Sequence, residues 1–279
     1  MISLCLSVLS SSLVSIVMRL STNRVRHNLG MLTMNYIVCA LLAGLFGGFR
    51  GAFGLSDPLV GLTLAMGSVN GVLYLAGFVL MQLNIRKNGV VLSSIFQKLG
   101  LLVTLVISVV FYREIPDLMQ GAGFVIAVAA IVLMNYRKGS TGAGSRGALL
   151  AMLLCCGMAD AMSKIFTESG AAALEGQFLF YTFAVAMGLC AVGMTVGGQK
   201  IGGREALFGT LIAVPNFFSS KFLLGALESL SAVIVYPVFS VGTILVVTLM
   251  GVLAFRERLT KQQWIGIGAI LIALVLLNV

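Results

Sequence analysis

The chain has 279 residues, of which 59% are apolar and only 10% charged, and its mean hydropathy is +1.08. Soluble domains carry about a quarter charged residues, so a water-soluble globule is excluded; four prolines and no low-complexity tract exclude a disordered or collagen-like chain. The net charge of +9 is read by position, because basic residues in an apolar chain orient membrane helices and need no nucleic-acid partner.

Ten apolar segments follow along the chain, at 3–20, 29–48, 59–82, 88–111, 118–136, 148–166, 176–197, 206–227, 231–254 and 262–278. A bilayer core offers backbone groups no water, so each segment must be a helix. At roughly 20 residues per span, the connections are short and leave no room for a soluble domain. Met1–Leu20 lacks a basic n-region and an Ala-x-Ala cleavage site and reads as the first span. It carries Ser7, Ser11 and Ser15 at four-residue intervals, and Arg19 is expected to snorkel to the interface. Gly44/Gly48 and Gly67/Gly71 have the small-xxx-small spacing that lets helices approach closely. The third span places Asn70, Tyr74, Gly77 and Met81 along one face.

The fourth span carries a stripe of Ser94, Gln97, Lys98, Leu101, Thr104 and Ser108 on an otherwise aliphatic helix. Lys98 lies near its middle, where an ammonium is expensive unless it meets a cavity or a partner. A basic Gly/Ser-rich linker at 137–147 divides five spans from five. The sixth span holds Asp160 and Lys164 in the order that suits a local helical ion pair. Asp160 is the best-placed carboxylate, because Glu114, Glu168, Glu175, Glu205 and Glu257 sit at or beyond helix ends. In the eighth span Pro215-Asn216 precedes Ser219, Ser220 and Lys221; the proline removes a backbone donor, and a broken helix that exposes carbonyls is weighed against a packed kink, the commoner case. The ninth carries Tyr236-Pro237, Ser240 and Thr243.

The two halves are related. An offset of 143 residues superimposes Arg113-Glu114 on Arg256-Glu257, Gln120 on Gln263, Gly123 on Gly266 and Asn135 on Asn278. An odd number of spans per half inverts the second half in the membrane, the inverted-repeat design of secondary transporters. The connections after odd-numbered spans and the span ends beside them hold Arg19, Arg24, Arg26, Arg86, Lys87, Arg137, Lys138, Arg146, Lys200, Arg204, Arg256, Arg258 and Lys261; the other side holds only Arg50, Arg113 and, near the end of the sixth span, Lys164. This bias places the first set in the cytoplasm and both termini outside.

Enzyme signatures are absent. There is no phosphate-cradling G-x-x-x-x-G-K-[ST], and the one histidine, His27, lies in a basic loop with no carboxylate beside it. The five cysteines sit in apolar runs without metal-ligand spacing, which suits packing. Neither a cofactor nor a metal is expected. The candidate binding residues are therefore the polar groups inside spans: Lys98, Gln97, Ser94, Asn70, Tyr74, Asn216, Tyr236 and Ser240, with Asp160 and Lys164 as coupling or counter-charges.

Phe255-Arg256-Glu257-Arg258-Leu259 with Gln263-Trp264-Ile265-Gly266, and more weakly Tyr112-Arg113-Glu114 with Gln120 and Gly123, resemble the repeat ends of the drug/metabolite transporter superfamily in its EamA-like branch. Val214–Phe218 and Ala159-Asp160-Ala161 with Lys164 are similar to segments of a bacterial subgroup of that branch. The resemblance covers essentially the whole chain. It implies an all-α cell-membrane protein of ten helices, as two inverted five-helix repeats at 1–136 and 148–279. The implied function is a secondary transporter that exports or exchanges small metabolites, amino acids or organic anions by alternating access, with protons as a candidate coupling ion. Two features depart from the family. The first span lacks the acidic residue that small multidrug relatives use for proton exchange, and the loop charges oppose the cytoplasmic termini usual for ten-span members. The alternative from another class is a non-transporting membrane scaffold, whose polar faces on spans three, four, eight and nine pair with each other and leave no cavity.

Overall fold

A computed structural model describes residues 2–47, 58–112, 117–135, 143–169, 174–227 and 232–276. Each element among them is a helix: α1 (Ile2–Ser21), α2 (Asn28–Gly47), α3 (Pro58–Asn88), α4 (Val90–Lys98), α5 (Leu101–Tyr112), α6 (Leu118–Asn135), α7 (Ala143–Glu168), α8 (Glu175–Val196), α9 (Gly203–Leu227), α10 (Ala232–Leu253) and α11 (Lys261–Leu276). Six of these, α1, α2, α3, α7, α8 and α9, are long and apolar enough to cross a membrane. Shorter apolar helical stretches at 90–104, 118–130, 238–253 and 261–276 bring the set into line with ten segments.

Polar groups are buried within the apolar core while many large apolar residues face outward. Ser7, Ser12, Ser15, Asn35, Asn70 and Thr182 are buried, whereas Leu6, Leu9 and Leu13 of α1, Leu150 and Leu154 of α7, and Leu245, Leu249 and Leu253 of α10 face outward. Those outward residues recur at three- or four-residue spacing, so α1, α7 and α10 turn apolar stripes to the surroundings, while the polar groups sit inward among an apolar core that includes Met18, Tyr36, Phe96 and Phe183. Only a hydrocarbon solvent makes that arrangement favourable.

Packing follows the repeat. Helix α1 packs on α9 as α7 packs on α3, and α2 packs on α9 as α8 packs on α3. Likewise α1 meets α10 as α7 meets α4 and α5, while α2 with α8, α4 with α10 and α6 with α11 join counterparts directly. Small residues make the close crossings possible. A Cβ on Gly67 would lie 2.8 Å from Tyr181 Cβ, and one on Gly71 would lie 2.6 Å from Thr182 O, so this pair seats α3 on α8 as its spacing suggests. On the other side of the exchange, a Cβ on Gly209 of α9 would lie 2.6 Å from Met31 O of α2. Gly48 lies outside the described residues.

Three expectations are corrected and one open reading, that at Pro215, is decided. The fourth segment is not one helix: it breaks at Leu99–Gly100 into α4 and α5. There Leu102 N–H donates to Leu99 O at 3.0 Å and Val103 N–H to Gly100 O at 2.8 Å, a tightened three-residue spacing that re-aims the chain. The break lets α5 meet α7 backbone to backbone, since Gly157 stands where a Gly100 Cβ would lie, 2.7 Å from its nitrogen. Second, α9 runs through Pro215 without interruption. A proline removes one donor, and packing against α1 and α2 holds the helix across the gap. Third, α7 begins at Ala143, inside the stretch expected to be linker. Fourth, α3 extends to Asn88, past the expected 82. That extra turn carries Arg86, whose Nη2 donates to Asn28 Oδ1 at 2.7 Å, and Asn84, whose Nδ2 donates to Ala148 O at 2.9 Å. Polar contacts of this kind outweigh the drop in hydropathy at the helix end.

Candidate functional site

One polar face of α1 organises the middle of the bundle. Ser7, Ser11, Ser15 and Arg19 are spaced four apart and share that face. Ser7 Oγ donates to Ser219 O of α9 at 3.0 Å. Ser11 Oγ accepts from Lys98 Nζ at 3.1 Å, and Ser15 Oγ accepts from Ser94 Oγ at 3.1 Å. Arg19, in the last turn of α1 and partly exposed, has its Nε 3.5 Å from Glu257 Oε1.

Beside this seam a cavity of about 340 Å3 opens between α1, α3, α4, α5, α7, α8, α9 and α10. That size lies within the roughly 300–1,000 Å3 of small-molecule sites. Lys98 enters it from the last turn of α4, with its ammonium 3.7 Å from the centre of the Phe239 ring of α10. Ser11 and the ring face are neutral partners; a cation over an aromatic ring gains about 0.5–2 kcal/mol, too little to replace full hydration. Asp160 of α7 also lines the cavity and is open to it. Neither Lys98 nor Lys164 lies within 4 Å of its carboxylate, and among the described residues Asp160 has no hydrogen-bond partner. Both pairings weighed from the sequence, Lys98 with Asp160 and Lys164 with Asp160, are therefore absent at contact distance.

Neutral polar groups and rings complete the wall. Asn70 Nδ2 donates to Thr182 Oγ1 at 3.3 Å, while Asn70 Oδ1 is buried without a partner. Tyr74 stacks on Phe78 at 5.6 Å and meets Phe183 edge-on at 5.7 Å; its hydroxyl shares a 3.4 Å hydrogen bond with Ser220 Oγ. Asn216 Nδ2 donates to Cys39 Sγ at 3.6 Å. The cavity extends from this level toward Glu175 and Phe178 at the start of α8.

Of the residues expected from the sequence, Lys98, Gln97, Asn70, Tyr74, Asn216, Ser240 and Asp160 line this one cavity. Ser94 does not; it is buried against Ser15 behind the wall. Lys164 is half-buried one turn beyond Asp160 and is not part of the lining. The Tyr236 side chain lies outside the described residues. Sequence reasoning did not select Ser11, Thr182, Phe239 or the rings of Phe78 and Phe183. The four-residue seam was the available signal for Ser11; an aromatic ring on an apolar helix carries none. Among the described residues, no three His, Cys, Asp or Glu side chains cluster as a metal site.

At the opposite end, the basic connections come together. Glu205 Oε1 accepts from the backbone N–H groups of Arg26 and His27, each at 3.1 Å, and Gln199 Oε1 accepts from Leu29 N–H at 3.0 Å. Glu257 accepts from Val90 N–H at 2.8 Å and Val91 N–H at 3.2 Å. These carboxylates and amides satisfy the donors that the first turns of α2 and α4 leave unpaired.

Residues 1–136 and again 145–279 match the EamA-like transporter family. The chain is similar to an uncharacterised Haemophilus influenzae protein, 24% identical over 203 residues that span 71% of this chain and 69% of that one. It is also similar to the probable 4-amino-4-deoxy-L-arabinose-phosphoundecaprenol flippase subunit ArnE of Proteus mirabilis. That match is 33% identical over 76 residues, 27% of this chain and 66% of the subunit. A solved crystal structure shares the fold at a TM-score of 0.66 and 13% identity, over 99% of this chain and 95% of its own.

Proposed function

The chain belongs to the EamA-like transporter family, and from that premise we propose that it is a secondary active transporter exporting or exchanging small solutes, amino acids or organic anions, by alternating access. Membership makes it a multi-pass membrane transporter of the drug/metabolite type; the solute class and the mode are our reading. One observation carries that reading. An ammonium and a carboxylate, Lys98 and Asp160, face the same mid-bundle cavity with no ion-pair contact between them. Intramembrane charges held this way mark substrate or ion pathways.

In this reading Lys98 receives the solute's anionic group. Gln97, Asn70, Tyr74, Asn216 and Ser240 supply hydrogen bonds. Ser94 positions the α4 wall through Ser15. Asp160 is the counter-charge and the candidate proton carrier, with Lys164 beyond it toward the membrane surface. The scaffold alternative expects the polar faces to pair off. Ser94 with Ser15 and Asn70 with Thr182 behave that way, but Lys98, Gln97 and Asp160 front open space.

A thermal-shift screen of purified protein against amino acids and organic anions finds the solute, because a ligand stabilises the folded state it occupies. Uptake into proteoliposomes, with and without a pH gradient, then tests transport. A stabilising ligand that is also taken up supports the proposal. The absence of uptake for every stabilising ligand contradicts it.

A further inference from the structure

The short helix α4 links the cavity to the basic end of the bundle. It is nine residues long, so at about 1.5 Å per residue its ends lie roughly 12–14 Å apart. Lys98 forms its cavity end. At its other end the Glu257 carboxylate, carried on the turn between α10 and α11, accepts from Val90 and Val91 N–H. That cap is built to fit. Gly89, which precedes α4, has φ +84°, and a Cβ there would lie 2.8 Å from Glu257 Oε2. On the turn itself Arg256 has φ +53°, a left-handed conformation unusual for a side-chain-bearing residue. Glu257 is only 11% exposed, and Arg19 of α1 pairs with it at 3.5 Å while lying over the Phe255 ring at 5.9 Å.

Three contacts therefore run along the α1–α4 seam from the basic end to the cavity: Arg19 with Glu257, Ser15 with Ser94, and Ser11 with Lys98. Glu257 ties this seam to the other half of the chain. For the cavity to reach the basic end, α1, α4 and the α10–α11 turn must part. Lys98 lies at the free end of the seam, where the solute binds.

We infer that Glu257 is a positioning residue, the latch that holds the basic-end gate shut, and that it is released through α4 when a solute anion draws Lys98 away from Ser11. The inference rests on the transporter reading of the cavity. Charge-assisted hydrogen bonds to backbone N–H groups are about twice as strong as neutral ones, and an anion at a helix N-terminus adds to them. Losing the charge therefore favours the open gate, and the α4 cap is the element both sites bias.

Cys156 lines the cavity and supplies the reporter, in a chain where the exposed Cys5 and half-buried Cys155 are replaced by serine. Vesicles of both orientations are treated with a membrane-impermeant thiol reagent, and modification of Cys156 is followed by mass spectrometry. A separate Asn23→Cys variant identifies the face that carries the basic loops. Glu257→Gln and Arg19→Gln are each expected to raise Cys156 labelling from the basic face by about tenfold or more, with no gain from the other face. Arg19→Lys keeps the ion pair and stays near the parent rate. General loosening would instead expose the buried Cys39 and Cys190 alongside Cys156 and would overturn the latch. So would unchanged basic-face labelling in both Gln variants while Cys156 reacts from the opposite face; that result leaves the cavity standing. Failure of Cys156 to react from either face in every variant contradicts the cavity reading, and the latch with it.

Discussion

Lys98 is an ammonium held by a hydroxyl and a ring, with no carboxylate at contact distance. That distinction decides what its removal does. Breaking a buried contact ion pair typically destabilises by about 3–5 kcal/mol, but Lys98 and Asp160 are not in contact, so Lys98→Ala removes only a longer-range attraction. We expect this variant to shift stability by no more than about 1 kcal/mol, the lost ring contact being offset by relief of a poorly hydrated cation. Solute uptake should fall by about tenfold or more, the typical weight of a charged hydrogen bond at a binding site. Thermal unfolding in detergent beside an uptake assay checks both, and a large stability loss with uptake retained would restore the structural reading of Lys98. Asp160→Asn is the complementary test. It should leave ligand-induced stabilisation measurable while abolishing the response of uptake to an imposed pH gradient. A pH response equal to that of the parent removes Asp160 from coupling.

At the scale of elements, glycine placement divides into contact and non-contact positions. Gly100 and Gly157 meet across α5 and α7, and a Cβ on Gly100 would meet backbone atoms that cannot rotate away. Gly100→Ala should therefore force α5 from α7 and destabilise the protein by about 1–3 kcal/mol. A Cβ on Gly188 of α8 would meet nothing within 4 Å; Gly188→Ala should be neutral or stabilising by up to about 1 kcal/mol, the helix-propensity difference. Thermal melting of the two variants side by side reads the contrast. Much at this scale was legible beforehand. The Gly67/Gly71 crossing follows from spacing, and the α1 seam follows from serines four apart. The α4–α5 break was not legible, because Leu99-Gly100 inside an aliphatic run has no proline or polar cluster to announce it. What Gly100 does depends on Gly157, which is remote in sequence. At Pro215 the local signal left a break and a packed helix both open, and contacts with neighbouring helices decide for the helix.

Across the whole molecule, intramembrane polar groups lie inward among an apolar core and further apolar residues face outward, and the helix pairs exchange in register with the 143-residue repeat. The repeat was visible in the Arg-Glu turns, yet the use of those residues was not. Glu257 reads from sequence as a residue past a helix end, whereas its partners Val90 and Val91 lie 167 and 166 positions away. Seven of the ten candidate site residues share one cavity because intramembrane polar groups converge wherever they can escape hydrocarbon. Ser94 and Lys164 show the limit of that argument, since a polar residue in a span also has the choice of another helix or the membrane surface. The central claim is that this cavity is the transport site, and uptake of a stabilising solute into proteoliposomes tests it most directly. Parent protein should accumulate the solute, and Lys98→Ala and Asp160→Asn should each lose accumulation driven by a pH gradient. Full gradient-driven uptake by both variants would contradict the assignment.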